Sequence, residues 1–311
     1  MTGAADHRRI LEQARAWSGA RLALATVVAT WRSAPCPIGT HMLVHEDERF
    51  IGSVSGGCVE GDVLIAAGEV IASGAHQLRR YGVADGAAWE VGLPCGGDIQ
   101  VLIQPVATQG FPMSLFVAID EAQSRGRTLV ISTDLMTGES TLAAASNENI
   151  FRNAYAPSKR LLIIGAVEIA TSLSAIARQL GFAVTVIDPR ERFLTAERFP
   201  GVVRDDRWPD EAVKALAPDS RTAIVTLSHD IKIDDPALFS ALQSEAGYIA
   251  ALGSRASHAA RLKRLEAQGF SAEALKRIEG PAGVTINAIS APEIALSIAS
   301  GMIRAFNEGL R

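Results

Sequence analysis

The chain has 311 residues, of which 48% are hydrophobic and 21% charged, with a formal net charge of −4. That length exceeds one typical domain and asks for two cores, while the acidic balance argues against a broad basic face for nucleic acid. No apolar run approaches the roughly 20 residues of a membrane helix, and Met1 to Arg9 carries no apolar signal core, so a cytoplasmic protein with neither membrane nor nucleic-acid partners is expected.

The first half opens with Ile10, Leu11, Ala14 and Trp17 at helical spacing between Asp6 and Ala20, with Asp6 able to cap the start. Arg21 to Trp31 is rich in Val, Thr, Leu and Ala and reads as a strand. It is broken by Ser33-Ala34-Pro35-Cys36-Pro37-Ile38-Gly39, a rigid loop. Thr40 to Val44 and Phe50 to Val54 flank a charged turn and predict a hairpin. The hairpin feeds Ser55-Gly56-Gly57-Cys58, and an alanine-rich helix is predicted from Val59 to Ala72. Strand, glycine turn and helix in that order place Cys58 at a helix start, where outward N–H groups favour anions and thiolates. A second element of the same form, Leu93-Pro94-Cys95-Gly96-Gly97-Asp98, precedes the strand pattern Ile99 to Val106. Gln77 to Val83 reads as a strand, Pro112 to Ser124 as a helix and Thr128 to Thr133 as a further strand. From Asn147 to Ser158 periodicity is lost, and the domain boundary is placed there, giving domains 1–150 and 151–311.

Two cysteines thus abut Gly-Gly pairs in a chain with three cysteines. That number makes no disulfide framework, and the spacings are not those of a zinc site. Small buried residues beside tight turns would leave the same trace, so a structural and a functional thiol both stand at this point.

The second half begins with the apolar strand Arg160 to Ile164 and Gly165, then a helix from about Glu168 to Leu180 and the strand Ala183 to Ile187, ending at Asp188. This is a βαβ unit, and Asp188 falls where dinucleotide folds contact a ribose, about 20 residues after the glycine. Thr222 to Leu227 and Tyr248 to Leu252 predict further parallel strands, with helices around Glu211 to Leu216 and Pro236 to Gln243. Ala291 to Asn307 predicts a last amphipathic helix. The fold class expected is α/β: an N-terminal α/β domain followed by a Rossmann-like, doubly wound parallel-sheet domain. The glycine fingerprint is incomplete, because Gly165 and Ala170 fit while Val167 would project into the space of a pyrophosphate. This argues against NAD(P). Gly253-Ser254-Arg255, between a strand and a helix, offers amides, a hydroxyl and a guanidinium for an anion, or is a solvated cap. Ser228-His229-Asp230 lies at the sheet edge where α/β ligands collect. No Gly-x-Ser-x-Gly occurs.

Taken together, Ser33-Ala34-Pro35 with Pro37 and Gly39, Met42-Leu43-Val44, Gly52 to Glu60 and Cys95-Gly96-Gly97 resemble the XdhC/CoxI family. Gly165, Asp188-Pro189-Arg190, Ser228-His229-Asp230, Tyr248-Ile249, Gly253-Ser254-Arg255 and Pro292-Glu293-Ile294-Ala295 are similar to that family's Rossmann-like C-terminal domain. The resemblance implies an accessory chaperone, not an enzyme. Such a protein binds molybdenum cofactor, as molybdopterin with or without a cytosine dinucleotide, supports its sulfuration and inserts it into a xanthine dehydrogenase-type hydroxylase. The partners implied are the hydroxylase apoenzyme and a cysteine desulfurase, and a homodimer is compatible with the apolar last helix.

Carried over by position, Cys58 and Cys95 are the expected contacts to molybdenum. Ser55, Gly56, Gly57, Gly96 and Gly97 are the expected cofactor contacts beside them, with Gly165, Asp188, Ser254 and Arg255 in the second half. Two departures from the family pattern matter: Cys36 stands where a basic residue is common, and Val167-Glu168 replace a glycine and a histidine. An NAD(P)-dependent oxidoreductase and a protein scaffold without cofactor remain the alternative readings.

Overall fold

The computed structural model describes residues 4–32, 34, 36–82, 97–143 and 148–308. The chain forms two compact units, Met1–Pro157 and Ser158–Arg311.

In the first unit the elements run α1 (Ala4–Ala16), β1 (Leu22–Trp31), β2 (His41–His45), β3 (Phe50–Gly52), α2 (Glu60–Ser73), β4 (Gln77–Tyr81), β5 (Asp98–Pro105), α3 (Met113–Ser124), β6 (Leu129–Asp134), β7 (Ser140–Thr141) and β8 (Ile150–Tyr155). Five strands make one sheet in the order β3-β2-β1-β5-β4, and every neighbouring pair is antiparallel. Strand side chains alternate faces, and the long buried run of β1 uses both. Ala23, Ala25 and Val27 pack with Val63, Ala66, Ala67 and Val70 of α2, whereas Leu22 and Leu24 pack with Ile10, Leu11, Leu115 and Ile119 of α1 and α3. The small residues therefore face the helix that follows the Gly-Gly-Cys turn, and the large ones face the other two. A separate small sheet has the order β7-β6-β8.

Strand β8 lies in the stretch where the sequence shows no periodicity. Its inward positions include Asn153, which carries no hydrophobic signal, yet Asn153 and Tyr155 are buried and β8 pairs in register with β6. The compact division accordingly falls at Pro157 and Ser158, beyond that strand.

The second unit runs β9 (Arg160–Ile164), α4 (Glu168–Gln179), β10 (Ala183–Ile187), β11 (Val203–Asp205), α5 (Pro209–Leu216), β12 (Thr222–Thr226), α6 (Ile231–Leu242), β13 (Tyr248–Ala251), α7 (Arg255–Ala267), α8 (Ala272–Leu275), β14 (Ile278–Glu279) and α9 (Ala291–Glu308). All pairings in the sheet β11-β10-β9-β12-β13-β14 are parallel. Leu161 and Ile163 meet Ala170 and Leu173 of α4 and Ile298 and Met302 of α9. Leu162 and Ile164 meet Ala212, Ala237, Leu238 and Leu265 of α5, α6 and α7. Helices on both faces of a parallel sheet are the doubly wound arrangement. The short strands β11 and β14 are too brief to leave a sequence pattern. Helix α6 also begins earlier than a proline at its first turn would suggest. Asp230 caps it by accepting from the Lys232 amide at 2.9 Å, and Pro236 sits inside the helix. No helix among the described residues is long and apolar enough to cross a membrane.

The strand order reverses beside β9, so the loops after β9 and β12 bound the crevice where open α/β sheets take ligands. Gly165 has φ +99°, and a Cβ there would stand 2.9 Å from both Cβ and the amide nitrogen of Ser228. The two loops meet at this glycine. Gly165→Ala should therefore destabilise the chain by about 1–3 kcal/mol through left-handed strain, read as a lowered midpoint of urea unfolding. An unchanged midpoint would show that the two loops can separate freely.

Candidate functional site

The loop between β3 and α2 is pinned by its own apolar residues: Val54 and Val59 are fully buried in the core beneath α2. Between them Gly56 (φ +76°) and Gly57 (φ +116°) turn the chain through conformations that suit glycine, leaving Gly56, Gly57 and Cys58 exposed. Cys58 immediately precedes the N-cap, Val59, whose side chain makes no cap bond.

The cap comes instead from Glu60. Its Oε1 accepts from the amides of Val54 (3.0 Å) and Ser55 (2.9 Å) and from the Ser53 hydroxyl. Its Oε2 accepts from the Ser55 hydroxyl (2.5 Å) and from the amides of Gly57 (2.9 Å) and Val59 (3.2 Å). The Ser55 hydroxyl oxygen in turn accepts from the amides of Cys58 (2.9 Å) and Val59 (3.0 Å). Successive amides curled around one anion form a nest at a helix N-terminus, and here the anion is the protein's own carboxylate. Burial would push the Glu60 carboxyl upward, but the hydroxyls of Ser53 and Ser55 and the loop amides outweigh it and bring it down to about 2.

The amides of the turn from Val54 to Val59 are thus already satisfied within the chain, and what the loop presents outward is the Cys58 thiol. The residue that fixes this, Glu60, was not singled out by pattern. Its signal was an acidic residue at the first helical position behind a Gly-Gly turn.

Of the second cysteine element, Cys95 and Gly96 lie outside the described residues, while Gly97 is buried against the start of β5. Just behind the loop, Asp62 of α2 accepts from Tyr81 Oη at 2.6 Å and from Arg79 at 2.8 Å, tying the helix to β4. Among the described residues no group of three or more His, Cys, Asp and Glu side chains could hold a metal ion. The soft donors there are Cys36, partly buried, and Cys58, exposed.

In the second unit the expected residues share the C-terminal edge of the parallel sheet, but their side chains are differently occupied. Asp188 is fully buried and accepts from the Ala166 amide at 2.8 Å and from the Arg190 amide (2.9 Å), Nε (2.8 Å) and Nη2 (2.7 Å). Burial opposes its ionisation, yet Arg190 and the Ala166 amide hold its carboxyl below the ordinary range. This carboxylate fastens the turn after β9 to the end of β10. Ser254 caps α7, accepting from the Ser257 amide at 3.1 Å, and Arg255 beside it is exposed. Ser228 donates to the buried Asp234 at 2.7 Å. At the head of α4, Val167 is the N-cap, its side chain partly buried against the core and not projecting as the sequence suggests, and Glu168 occupies the first turn with an exposed carboxylate, so a diphosphate there would meet a like charge.

The model of the XdhC and CoxI family matches residues 16–82, and that of the XdhC Rossmann domain matches residues 161–302. A relative from Escherichia coli K12, the molybdenum cofactor insertion chaperone PaoD, is 30% identical over 94% of this chain and 86% of its own. A protein from Bacillus subtilis 168, described as a probable subunit of xanthine dehydrogenase, is 26% identical over 90% of this chain and 92% of its own. A crystal structure from Bacillus halodurans, described as a xanthine dehydrogenase, superposes with a TM-score of 0.84 at 23% identity, covering 99% of this chain and 96% of the other. At that identity the likeness speaks for the fold.

Replacing Glu60 by Gln should cost about 1–3 kcal/mol near neutral pH, since it removes the charge from hydrogen bonds that are otherwise left buried and poorly matched. The folded-state carboxyl titrates below its ordinary value, so this stabilisation is complete above about 4.5 and lost as pH falls through about 2. The difference in urea midpoint between the wild type and Glu60→Gln should shrink across that window. A difference that is constant with pH would remove the carboxylate's charge from the account.

Proposed function

The chain belongs to the XdhC and CoxI family, and on that premise we propose that it is an accessory protein that receives molybdenum cofactor and inserts it into a xanthine dehydrogenase-type hydroxylase. It supports the sulfuration of that cargo together with a cysteine desulfurase, and it works in the cytoplasm as a homodimer. The cargo is molybdopterin, with or without its cytosine dinucleotide.

The observation that carries this reading is the state of the Gly-Gly-Cys loop. A resident metal is enclosed by several donors, whereas a guest that must leave needs few contacts on a surface already in its final shape. Cys58 meets both conditions, because its thiol is exposed and its backbone is held by Ser55 and Glu60 without help from a ligand. Thiolate is a soft ligand, and the cargo supplies a thiophilic molybdenum centre.

Cys58 is therefore proposed as a metal contact, with Cys95 as its partner. Ser55, Gly56, Gly57, Gly96 and Gly97 are proposed as the cofactor contacts beside them. In the second unit, taken by itself, Gly165, Asp188, Ser254 and Arg255 are proposed as cofactor contacts. Asp188 acts there by fixing the loop, since Arg190 and Ala166 already engage both of its oxygens. Arg255 and Ser254 supply exposed donors for an anion.

The protein purified anaerobically from molybdenum-replete cells should release a pterin detectable by mass spectrometry. Cys58→Ala should lower retained pterin and molybdenum about tenfold while leaving the melting temperature unchanged. A wild-type preparation without pterin would defeat the proposal, and equal retention by the variant would take Cys58 out of the site.

A further inference from the structure

A cavity of about 360 Å³ opens in the first unit at the point where β3 passes into the Gly-Gly-Cys loop. Its lining brings together residues distant in the chain: Arg9 of α1, Cys36 and Thr40 of the proline-flanked loop, His41 at the start of β2, and Ser53. The volume lies in the range of small-ligand sites, roughly 300–1,000 Å³.

The wall carrying Cys36 is fixed from behind by buried polar side chains drawn from four elements. His7 Nε2 (3.3 Å) and Asn153 Nδ2 (3.4 Å) both reach the carbonyl oxygen of Gly39. His41 Nδ1 is 2.9 Å from Thr26 Oγ1, and its Nε2 is 2.9 Å from Tyr155 Oη. The Thr40 hydroxyl donates to the Pro37 carbonyl at 2.6 Å. His7, Thr26, His41, Asn153 and Tyr155 are all buried. Buried polar groups are costly unless fully paired, and when paired they fix one conformation.

With both ring nitrogens engaged, His41 is a wall and not a base or a ligand. Burial and the neighbouring His7 keep its pKa well below the ordinary value, so it adds no charge near neutral pH. Of the other lining residues, the Thr40 hydroxyl is bound to Pro37 and the Ser53 hydroxyl to Gly56 and Glu60, so Cys36 and Arg9 are the soft and the charged members of the set. That set suits a guest with an anionic, oxygen-rich face around a thiophilic centre. Ser53 also joins this space to the loop that presents Cys58, because its hydroxyl accepts from the Gly56 amide at 2.8 Å and donates to Glu60.

We propose that this cavity seats the metal-bearing end of the cargo, with Cys36 as the thiol that meets it and Arg9 as its counter-charge. The inference rests on the cofactor-carrying reading above and adds to it a place and two residues.

The test uses the full-length wild-type protein in two preparations, one purified anaerobically with its pterin and one from cells unable to make the pterin. Each is treated with iodoacetamide, and the peptides holding Cys36, Cys58 and Cys95 are followed separately. Cys36 should react about tenfold more slowly in the pterin-loaded protein. In parallel, Cys36→Ser and Arg9→Gln should each lower retained pterin and molybdenum with an unchanged melting temperature. Equal alkylation of Cys36 in both preparations, with pterin present in the first, would overturn the cavity assignment and leave the carrier reading intact. Pterin in neither preparation would overturn both.

Discussion

The geometry of the first unit's site depends on a single carboxylate placed at the head of a helix. Glu60 lies 8% exposed, and its two oxygens gather the amides of Val54, Ser55, Gly57 and Val59 with the hydroxyls of Ser53 and Ser55. A loop containing a Gly-Gly pair pays a large conformational entropy to hold one shape. Charge-assisted hydrogen bonds to a common acceptor are the interaction strong enough to offset it. Because the acceptor is part of the chain, the shape exists before any guest arrives. The exposed thiol of Cys58 is then a consequence of order and not of slack.

The same principle acts in the second unit with a different outcome. The parallel sheet, the reversal of strand order beside β9 and the glycine at its end reproduce the scaffold on which dinucleotides are bound. Yet the acidic residue at the end of β10 is turned inward, where Arg190 and the Ala166 amide occupy it, and the head of α4 carries Val167 and Glu168. In each unit an internal carboxylate is held by the chain's own donors, Glu60 by the loop amides and Asp188 by Arg190 and the Ala166 amide. The groups left exposed nearby are Cys58 in one unit and Ser254 and Arg255 in the other.

Much of this architecture was legible in the sequence, and the rest was not for definable reasons. The inner strands β9, β12 and β13 are buried on both faces and read as unbroken apolar runs. Helices α2 and α9 showed their spacing. Strand β8 was invisible because two of the side chains it buries, Asn153 and Tyr155, are polar or carry a hydroxyl and are satisfied by contacts across more than a hundred residues. The Gly-Gly-Cys loop announced that it was special, but a pattern of residue types does not say which of several groups will claim the amides. Glu60 wins because it is covalently present at the first turn of α2, and no free anion competes with that effective concentration. Cys36 sits in a proline-flanked loop that reads as rigid in the sequence, whereas its place on a cavity wall depends on α1, β2 and β3 meeting in three dimensions.

A carrier must bind tightly enough to protect its cargo and loosely enough to release it, and the arrangement of donors decides which demand is met. Were the amides of the Gly-Gly-Cys loop open, they would add several charge-assisted bonds to an anionic guest, each worth about 1.5–3 kcal/mol, and the complex would approach the permanence of a resident cofactor. With Glu60 in possession of them, the loop contributes position without that added affinity. On the carrier reading proposed above, binding in the first unit falls to a few soft or exposed contacts, the thiols of Cys36 and Cys58 and the guanidinium of Arg9, each of which can be exchanged for a donor on an acceptor protein one at a time. Exchange of separate weak contacts one by one avoids a single large barrier, so on that reading the internal carboxylate that rigidifies the loop would also keep its grip on a cargo reversible.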